Sequence, residues 1–356
     1  MLDFPLYRDD GISSVSLNDL QRKSIAEFTA KIENGTYHFV DNPCICGGHD
    51  DICVTEKDRY GIPCRYVLCR KCGVVRLEKR LDDESTALFY RDDYRNIYVG
   101  REQASKSFFR EQEQHGEEFY HLAEKCADIS GIKTVFEAGC GAGGIIYAFH
   151  RRGKNVSGCD FGEKYLSYGR EKGLNLYSGE ADLTKTPPNS QDLVILSHVL
   201  EHLNNPAEYI NTLAEMTSPK GYMLIQLPGL LSMPKQYHKP IFYFQNAHVN
   251  NFYEYFLRKF FEALGLEVVY SDEVCTFLLR KPENWVKRNT DALKIYDESM
   301  PEWSRKIQRS LKRYYVYSLF GGYYFLHPLR TLRRIPVKIL EILGIKDKIN
   351  KLIGRE

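Results

Sequence analysis

The sequence predicts an α/β fold built on a seven-stranded sheet, in which five parallel strands are followed by an antiparallel hairpin. Short apolar runs alternate with helical stretches from residue 134 onward, and this alternation is typical of parallel sheets. A short turn at Ser271–Val274 joins the last two runs, which indicates a hairpin because a parallel crossover needs about a dozen residues or more. The predicted strands are Thr134–Ala138, Asn155–Cys159, Asn175–Tyr177, Leu193–Leu196, Tyr222–Gln226, Leu266–Ser271 and Thr276–Arg280.

Smaller regions flank this sheet on both sides. A helix is predicted at Leu17–Gly35, with Asn18 or Ser16 as its N-cap and Asn34-Gly35 as its stop signal. Short β-like segments punctuated by cysteine and glycine follow, and after them a helical connector or lid. The predicted division is a helical segment at 1–40, a zinc-ribbon-like module at 41–83, the connector at 84–130, the sheet domain at 131–283 and a basic, aromatic-rich helical region at 284–356.

The C-terminal region differs in charge from the rest of the chain. From residue 301 onward thirteen Lys and Arg face only four Asp and Glu, although all 356 residues together carry a net charge of +2. Residues 336–356 place Ile and Leu mainly along one helical face and Lys on the other. The pattern indicates peripheral contact with a membrane surface or, alternatively, a helix packed on the protein's own body or on a second subunit.

The N-terminus, MLDFPLYRDDG, has no basic segment followed by an apolar run, so we expect no signal peptide. No stretch reaches about 18 uninterrupted apolar residues, so we expect no transmembrane helix. Ten cysteines in such a chain indicate reduced thiols. We therefore expect a cytoplasmic protein, located at the inner face of the membrane if the basic tail binds there.

The stretch VFEAGCGAGG fits two ligand-binding patterns. Gly139, Gly141 and Gly144 match the G-x-G-x-x-G pattern of dinucleotide sites, where a helix N-terminus receives a pyrophosphate. Glu137 with Gly139, Gly141 and Gly143 matches instead a loop that binds S-adenosylmethionine (SAM). SAM carries an ammonium and a sulfonium and no phosphate, so a carboxylate favours SAM and disfavours a dinucleotide. The closing hairpin also favours SAM.

The motif DLVILSHVLEHLNNP, residues 192–206, follows the fourth predicted strand. With this motif the sequence resembles the class I SAM-dependent methyltransferases over roughly residues 131–281, and the resemblance implies their Rossmann-like methyltransferase sheet. It also implies which residues bind the cofactor. These are Glu137, Gly139, Gly141 and Gly143 at the methionine end, Asp160 at the ribose, Phe161, Glu180, Ala181 and Asp182 around the adenine, and Ser197 and His198 under the cofactor.

Three histidines are candidates for the base that accepts a proton from a hydroxyl acceptor, namely His198, His202 and His248. His202 ends the Glu-His pair of the motif, a position that in relatives is often structural. His248 follows the fifth strand and a long loop that is expected to cover the acceptor. We predict His248 as the catalytic base and His202 as the second candidate. The alternative for both residues is a positioning or structural role.

Two cysteine doublets, Cys44-x-Cys46 and Cys69-x-x-Cys72, are each followed by a glycine that permits a tight turn. Four thiolates on two short turns predict a closed tetrahedral zinc site, which is structural because it has no open position. The spacing of the first doublet is shorter than the usual C-x-x-C, and free clustered cysteines are the alternative interpretation. The alternative ligands are His49, Cys53 and Cys64.

The order of elements along the chain resembles that of bacterial sugar methyltransferases of deoxysugar and surface-polysaccharide pathways. A zinc module comes first, the segment LFYRDDYRNIY follows, and the methyltransferase core comes last. In the sugar C-methyltransferases of that group, the zinc module and the tyrosine-bearing segment help to enclose the acceptor. We expect this sequence to depart from them, because no large second α/β domain is predicted in residues 284–356 after the core. The resemblance therefore favours O-methylation of a saccharide or glycolipid over C-methylation of a nucleotide deoxysugar. Tyr90, Tyr94 and Tyr98 either cover the cofactor or only pack.

Three other functions compete with this one. O-methylation of a quinone or phenolic small molecule is disfavoured by the zinc module and the basic tail. RNA modification is disfavoured because base-stacking aromatics and a basic stripe are not organised around the zinc module. A non-enzymatic scaffold is disfavoured by the complete glycine loop and Asp160. The sequence predicts neither the identity of the sugar nor the oligomeric state.

Overall fold

The computed structural model describes residues 6–100, 104–293 and 295–321, and for Ala292 the backbone alone. The basic tail from residue 322 onward, with its predicted amphipathic helix, lies outside the described residues. The described helices are α1 (Asp19–Glu33), α2 (Asp83–Asp92), α3 (Tyr94–Tyr98), α4 (Lys106–Cys126), α5 (Gly144–His150), α6 (Glu163–Arg170), α7 (Pro206–Met216), α8 (Met233–Gln236), α9 (Glu254–Ala263) and α10 (Met300–Leu319).

The strands form one large sheet, one small sheet and a two-stranded pair. In chain order they are β1 (Phe39–Asp41), β2 (Asp51–Lys57), β3 (Pro63–Cys69), β4 (Val75–Leu77), β5 (Lys79–Leu81), β6 (Thr134–Ala138), β7 (Asn155–Asp160), β8 (Asn175–Ser178), β9 (Gln191–Ser197), β10 (Thr217–Gln226), β11 (Asn250–Asn251), β12 (Glu267–Ser271) and β13 (Thr276–Arg280).

The large sheet confirms the predicted fold class. Its seven strands run in the order β12-β13-β10-β9-β6-β7-β8. Strands β10, β9, β6, β7 and β8 are parallel, and β12 and β13 form the antiparallel hairpin at one edge. The central strands are apolar because helices cover both faces, as in other parallel sheets. Their carboxyl ends meet at one edge, and the residues expected to bind SAM follow those ends.

The small sheet links the N-terminal region to the sheet domain. Strands β2, β3 and β4 pair antiparallel, and the sheet is completed by β11, which belongs to the long segment between β10 and α9. Tyr66 on β3 is fully buried and donates its hydroxyl proton to the carbonyl oxygens of Gln245 and His248 at 2.5 and 2.9 Å. The cysteine-bearing region is therefore attached by backbone pairing to the segment that carries His248.

Helices at both ends of the described chain pack on this body. Helix α1 begins at the predicted N-cap, where the Asn18 side-chain oxygen accepts a hydrogen bond from the Gln21 backbone N–H. The Gln21 side-chain oxygen accepts one in return from the Asn18 backbone N–H. Helix α10 buries Ile307 and Leu311 and contacts β3, and the Ser304 hydroxyl donates to the Cys69 carbonyl oxygen at 3.1 Å. Across residues 6–100, 104–293 and 295–321, no helix combines the length and apolarity needed to span a bilayer.

Candidate active site

The glycine loop between β6 and α5 is shaped by backbone conformations that favour glycine. Gly139, Gly141 and Gly143 have φ values of 72°, 56° and 75°, in the left-handed region. A Cβ atom at Gly139 would lie 2.4 Å from a methyl group of Val199. Gly144, the residue that completed the dinucleotide pattern, opens α5, and a Cβ there would lie 2.5 Å from the Gln112 Cβ. Gly144 thus permits close packing of α4 on α5.

Glu137, the acidic residue of this loop, is buried without a full set of partners. Its side chain comes from β6 and is 1% exposed. One carboxylate oxygen, Oε2, has no hydrogen-bond partner among the described residues. Burial, together with the nearby charge of Asp160, raises the pKa of Glu137 well above its usual range. A buried carboxyl group in this state is prepared to receive a cationic group from a ligand.

Asp160 ends β7 and already has several partners. Its carboxylate accepts hydrogen bonds from the backbone N–H groups of Gly141 and Gly162 at 2.9 and 2.7 Å. It also forms an ion pair with Arg95 of α3, whose guanidinium lies 4.0 Å from the ring centroid of Tyr165. Arg95 was not predicted from the sequence, because an arginine in a tyrosine-rich helix has no signature of its own.

A cavity of about 730 Å³ opens at the carboxyl edge of the large sheet, between α2–α3, α4 and the turn after β9. Its volume lies within the usual range for ligand pockets. Most residues predicted to bind the cofactor line it. These are Glu137, Gly139, Gly141, Asp160, Phe161, Glu180, Ala181, Ser197 and His198, joined by His202.

Three predicted site residues lie apart from the cavity lining. Gly143 packs beneath the loop, where a Cβ atom would lie 2.7 Å from Leu174. The carboxylate of Asp182 accepts hydrogen bonds from the Thr184 N–H and hydroxyl, both at 2.8 Å, and these bonds hold the pKa of Asp182 below its usual value. His248 is 3% exposed and packs behind His202, with ring centroids 4.8 Å apart. Its role as the base remains a prediction.

The histidines of the candidate site surround one glutamate. His198 directly follows β9 with a φ of 55°, a conformation that non-glycine residues seldom adopt. Its Nδ1 atom lies 3.6 Å from Oε1 of Glu201, and the same oxygen lies 3.9 Å from His202 Nε2 and 4.0 Å from His248 Nε2. Neither carboxylate oxygen of Glu201 has a hydrogen-bond partner within the described part of the chain, although the residue is 1% exposed.

The tautomer of His202 follows from its surroundings. Its Nδ1 atom lies 2.8 Å from the carbonyl oxygen of Ala247, so Nδ1 carries the proton and Nε2 presents a lone pair toward Glu201. This bond joins the turn after β9 to the segment before β11, the structural role considered for this position. Burial lowers the pKa of His202 and lowers that of His248 well below its usual range. Both imidazoles are therefore neutral at physiological pH.

Aromatic residues of the connector cover the cavity. Tyr90 and Tyr94 line it, and their rings lie 5.9 and 5.6 Å from the ring of His202. Tyr98 packs instead on Tyr60, with ring centroids 5.1 Å apart. Gln112 and His115 on α4 also line the cavity, and neither was predicted from the sequence. The signal was weak, since these two residues lie at helical spacing within a largely polar segment.

The four predicted metal ligands form a separate cluster. The Sγ atoms of Cys44 and Cys72 lie 3.5 Å apart, as do those of Cys46 and Cys44, and Cys46 and Cys69 are 3.6 Å apart. A tetrahedral ion with bonds of about 2.3 Å to sulfur needs edges of about 3.8 Å, so the cluster fits such an ion. The alternative ligands, His49, Cys53 and Cys64, do not belong to the group of four neighbouring thiols. Cys53 and Cys64 lie on β2 and β3.

Comparisons with known proteins agree with this geometry. Residues 106–271 match a family described as a methyltransferase domain. Ubiquinone biosynthesis O-methyltransferases from Azoarcus sp. and Shewanella pealeana are 37% and 34% identical over 97 and 98 residues. These matches cover 25% and 26% of this chain, and the chain spans 41% and 42% of those proteins.

Solved structures with a likeness to the chain include a SAM-dependent methyltransferase from Mesorhizobium loti, at 25% identity and a TM-score of 0.29. That match covers 33% of this chain and 56% of the other. An amino pentose methyltransferase from Micromonospora echinaspora is 17% identical, with a TM-score of 0.29 and coverage of 38% and 55%. TM-scores this low bear on neither fold nor function. Together with the family match, the sheet and the glycine loop establish that the chain carries a SAM-dependent methyltransferase domain.

Proposed function

We propose that the protein transfers the methyl group of SAM to a hydroxyl oxygen of a saccharide acceptor. The observation that carries the proposal is the buried, incompletely paired carboxyl group of Glu137 on the wall of the cavity, where the ammonium of SAM would supply the missing partner. In the reaction the bond from sulfur to methyl breaks, the acceptor oxygen forms the new bond, and the hydroxyl proton leaves. S-adenosylhomocysteine and a methyl ether are the products.

Polar side chains at the rim of the cavity support the proposal of a saccharide acceptor. Asp83, Asn205 and Glu208 are exposed there, and Thr86 and Thr212 lie beside them. These side chains offer carboxylate, amide and hydroxyl groups, which suit the many hydroxyl groups of a sugar. Tyr90 provides an aromatic face in the same cavity.

A phenolic acceptor is the second candidate, because the curated relatives are named ubiquinone biosynthesis O-methyltransferases. Turnover of SAM would be assayed with nucleotide sugars, with lipid-linked glycans and with a polyprenylated catechol. Methylation of a sugar hydroxyl supports the proposal. Methylation of the catechol alone would replace it with the second candidate, and failure of calorimetry to detect SAM binding would reject both.

The proton acceptor is proposed to belong to the cluster of Glu201, His202 and His248. His248→Ala is expected to keep SAM affinity and to reduce turnover by about a hundredfold or more, the range of a lost general base. His121→Ala, which changes an exposed histidine on α4, is the control. Near-normal turnover of His248→Ala would remove His248 from the mechanism.

The four-cysteine cluster is proposed to hold a structural Zn²⁺. Four thiolates leave no coordination position for a substrate, and thiolate ligands favour zinc among the divalent ions available in cells. Metal analysis of the purified protein, with Cys53→Ser as the matched control for Cys72→Ser, tests the assignment. Zinc that survives Cys72→Ser would contradict it.

Peripheral membrane contact of a cytoplasmic protein is also part of the proposal. Five exposed cations on α10, namely Arg305, Lys306, Arg309, Lys312 and Arg313, face only Glu302 on the same helix. Exposed apolar residues follow at the end of α10, among them Leu319 and Phe320 at 62% and 77% exposure. Flotation with anionic vesicles should fall when the five cations are changed to Gln. Equal flotation of both proteins would reject this contact.

A further inference from the structure

Glu201 is the least satisfied charged side chain of the cavity region. It is buried, both of its oxygens lack hydrogen bonds among the described residues, and three imidazole nitrogens lie 3.6–4.0 Å from Oε1. These distances are too long for hydrogen bonds, whose usual range ends near 3.2 Å. A carboxylate left this way costs stability unless something else lies between the groups.

We propose that Glu201, His202 and His248 bind a divalent first-row transition-metal ion, in a second metal site distinct from the four cysteines. Their ligand atoms all lie within 4.8 Å of one another. Bonds of about 2.1 Å bring neighbouring ligand atoms to about 3.0–3.4 Å, so shifts of roughly half an ångström close the site. Two imidazoles and one carboxylate suit Zn²⁺, Fe²⁺ or Co²⁺ better than Mg²⁺ or Ca²⁺, which prefer oxygen ligands.

The surroundings of His202 are those of a metal ligand. Its Nδ1–H donates to the Ala247 carbonyl oxygen, which fixes the ring and leaves Nε2 free for an ion. The Nε2 atom of His248 lies 2.8 Å from the amide nitrogen of Gln245, whose amide oxygen accepts from Arg59 at 3.2 Å. Arg59 therefore sets the orientation of the Gln245 amide, so that the amide nitrogen of Gln245 donates to His248 Nε2. The ion would take the place of this donor at His248.

The site borders the cavity through His202, the one of its three ligands that lines the cavity. His198 lies 3.6 Å from Glu201, lines the cavity and has a half-exposed side chain. The ion would therefore bind within reach of a ligand in the cavity, and a hydroxyl group or a pair of adjacent hydroxyl groups could complete its coordination. The site itself does not depend on methyl transfer, whereas this use of the ion rests on the proposed function. An ion at the site would occupy the Nε2 lone pairs of His202 and His248, so in the metal-bound protein neither imidazole is the proton acceptor.

Cobalt titration tests the site, using protein whose cysteine cluster is already filled with one equivalent of zinc. Wild-type protein is expected to bind one equivalent of Co²⁺ with visible d–d absorption and without sulfur-to-cobalt charge transfer. Glu201→Gln, which keeps the size of the side chain, should weaken Co²⁺ binding at least about tenfold. His121→Ala, in an exposed His–Glu pair on α4, should bind Co²⁺ as the wild type does.

A wild-type protein that binds no Co²⁺ beyond the zinc-filled cysteines, or Glu201→Gln with unchanged affinity, would overturn the site. The histidine ligands are tested without histidine variants, which could fail to fold. X-ray absorption of cobalt-loaded wild-type protein must show imidazole ligands and no sulfur ligand, and any other result would overturn the site. SAM calorimetry on the same preparation separates the two proposals. If the wild-type protein binds Co²⁺ but not SAM, the proposed function is contradicted and the metal site stands. If it binds SAM but no Co²⁺, the metal site is overturned and the proposed function stands.

Discussion

The four-cysteine cluster and the cavity at the sheet edge are built on opposite principles. In the cysteine cluster each thiol has another thiol within 3.6 Å, so every member has a partner within the cluster. Glu137, which lines the cavity, and Glu201, which lies 3.9 Å from the cavity-lining His202, are each 1% exposed and have carboxylate oxygens without partners among the described residues. We expect the first region to stabilise the fold, and the second to give up stability in order to keep groups available for ligands.

The largest expected effect is on stability, at the cysteine cluster. Cys72→Ser removes one thiolate, and we expect the free energy of unfolding to fall by more than about 4 kcal/mol, the range of a lost structural metal. Helix α10 should loosen with it, because Ser304 bonds to the Cys69 carbonyl oxygen. Urea denaturation measures the change, with Cys53→Ser as the control. A loss under about 1 kcal/mol would mean that the cluster does not stabilise the fold as a metal site does.

Glu137→Gln should have the opposite profile. We expect SAM affinity to fall about tenfold to a hundredfold, because the ammonium loses its charged partner. The free energy of unfolding should not fall, since the change removes a buried, incompletely paired carboxyl group. Calorimetry and urea denaturation on one preparation give both values. If Glu137→Gln lowered both the SAM affinity and the free energy of unfolding, Glu137 would stabilise the fold, contrary to the contrast drawn between the cavity and the cysteine cluster.

The pH dependence of SAM binding follows from the same carboxyl group. Its pKa is raised in the free protein, so below that pKa the group is protonated, whereas a bound ammonium requires the ionised form. SAM binding should therefore release a proton, and affinity should rise with pH by at most about tenfold per unit until the raised pKa is passed. Calorimetry in buffers of different ionisation enthalpy counts the protons. Proton uptake, or a slope that persists in Glu137→Gln, would contradict this account.

The smallest expected effect concerns Arg95, which pairs with Asp160 where the ribose is expected to bind. Arg95→Met should raise SAM affinity about threefold to tenfold by freeing Asp160, while lowering the free energy of unfolding by about 1–3 kcal/mol. Arg91→Met, in an exposed pair with Asp92 on α2, is the matched control. Weaker SAM binding by Arg95→Met would show that Arg95 assists the cofactor.

How much could be predicted depended on how local each feature is. The seven strands, the Asn18 cap and the glycine loop lie in short stretches whose spacing carries the signal, and the two cysteine doublets do so as well. Arg95 and the grouping of Glu201 with His248 were not predicted, because 47 residues separate the latter pair and only the fold brings them together. The position of His248 behind His202 depends on side-chain packing, which no spacing encodes.

The two-residue strand β11 limits how proteins of this architecture can be cut or recombined. Residues 106–271 contain the matched methyltransferase domain, yet Asn250 and Asn251 take their backbone pairing from Arg76 and Val75 in the small sheet. A fragment without the small sheet would leave the backbone groups of β11 unpaired at that edge. Exchange of the cysteine module between enzymes must therefore carry β11 with it, and with β11 the loop that holds His248.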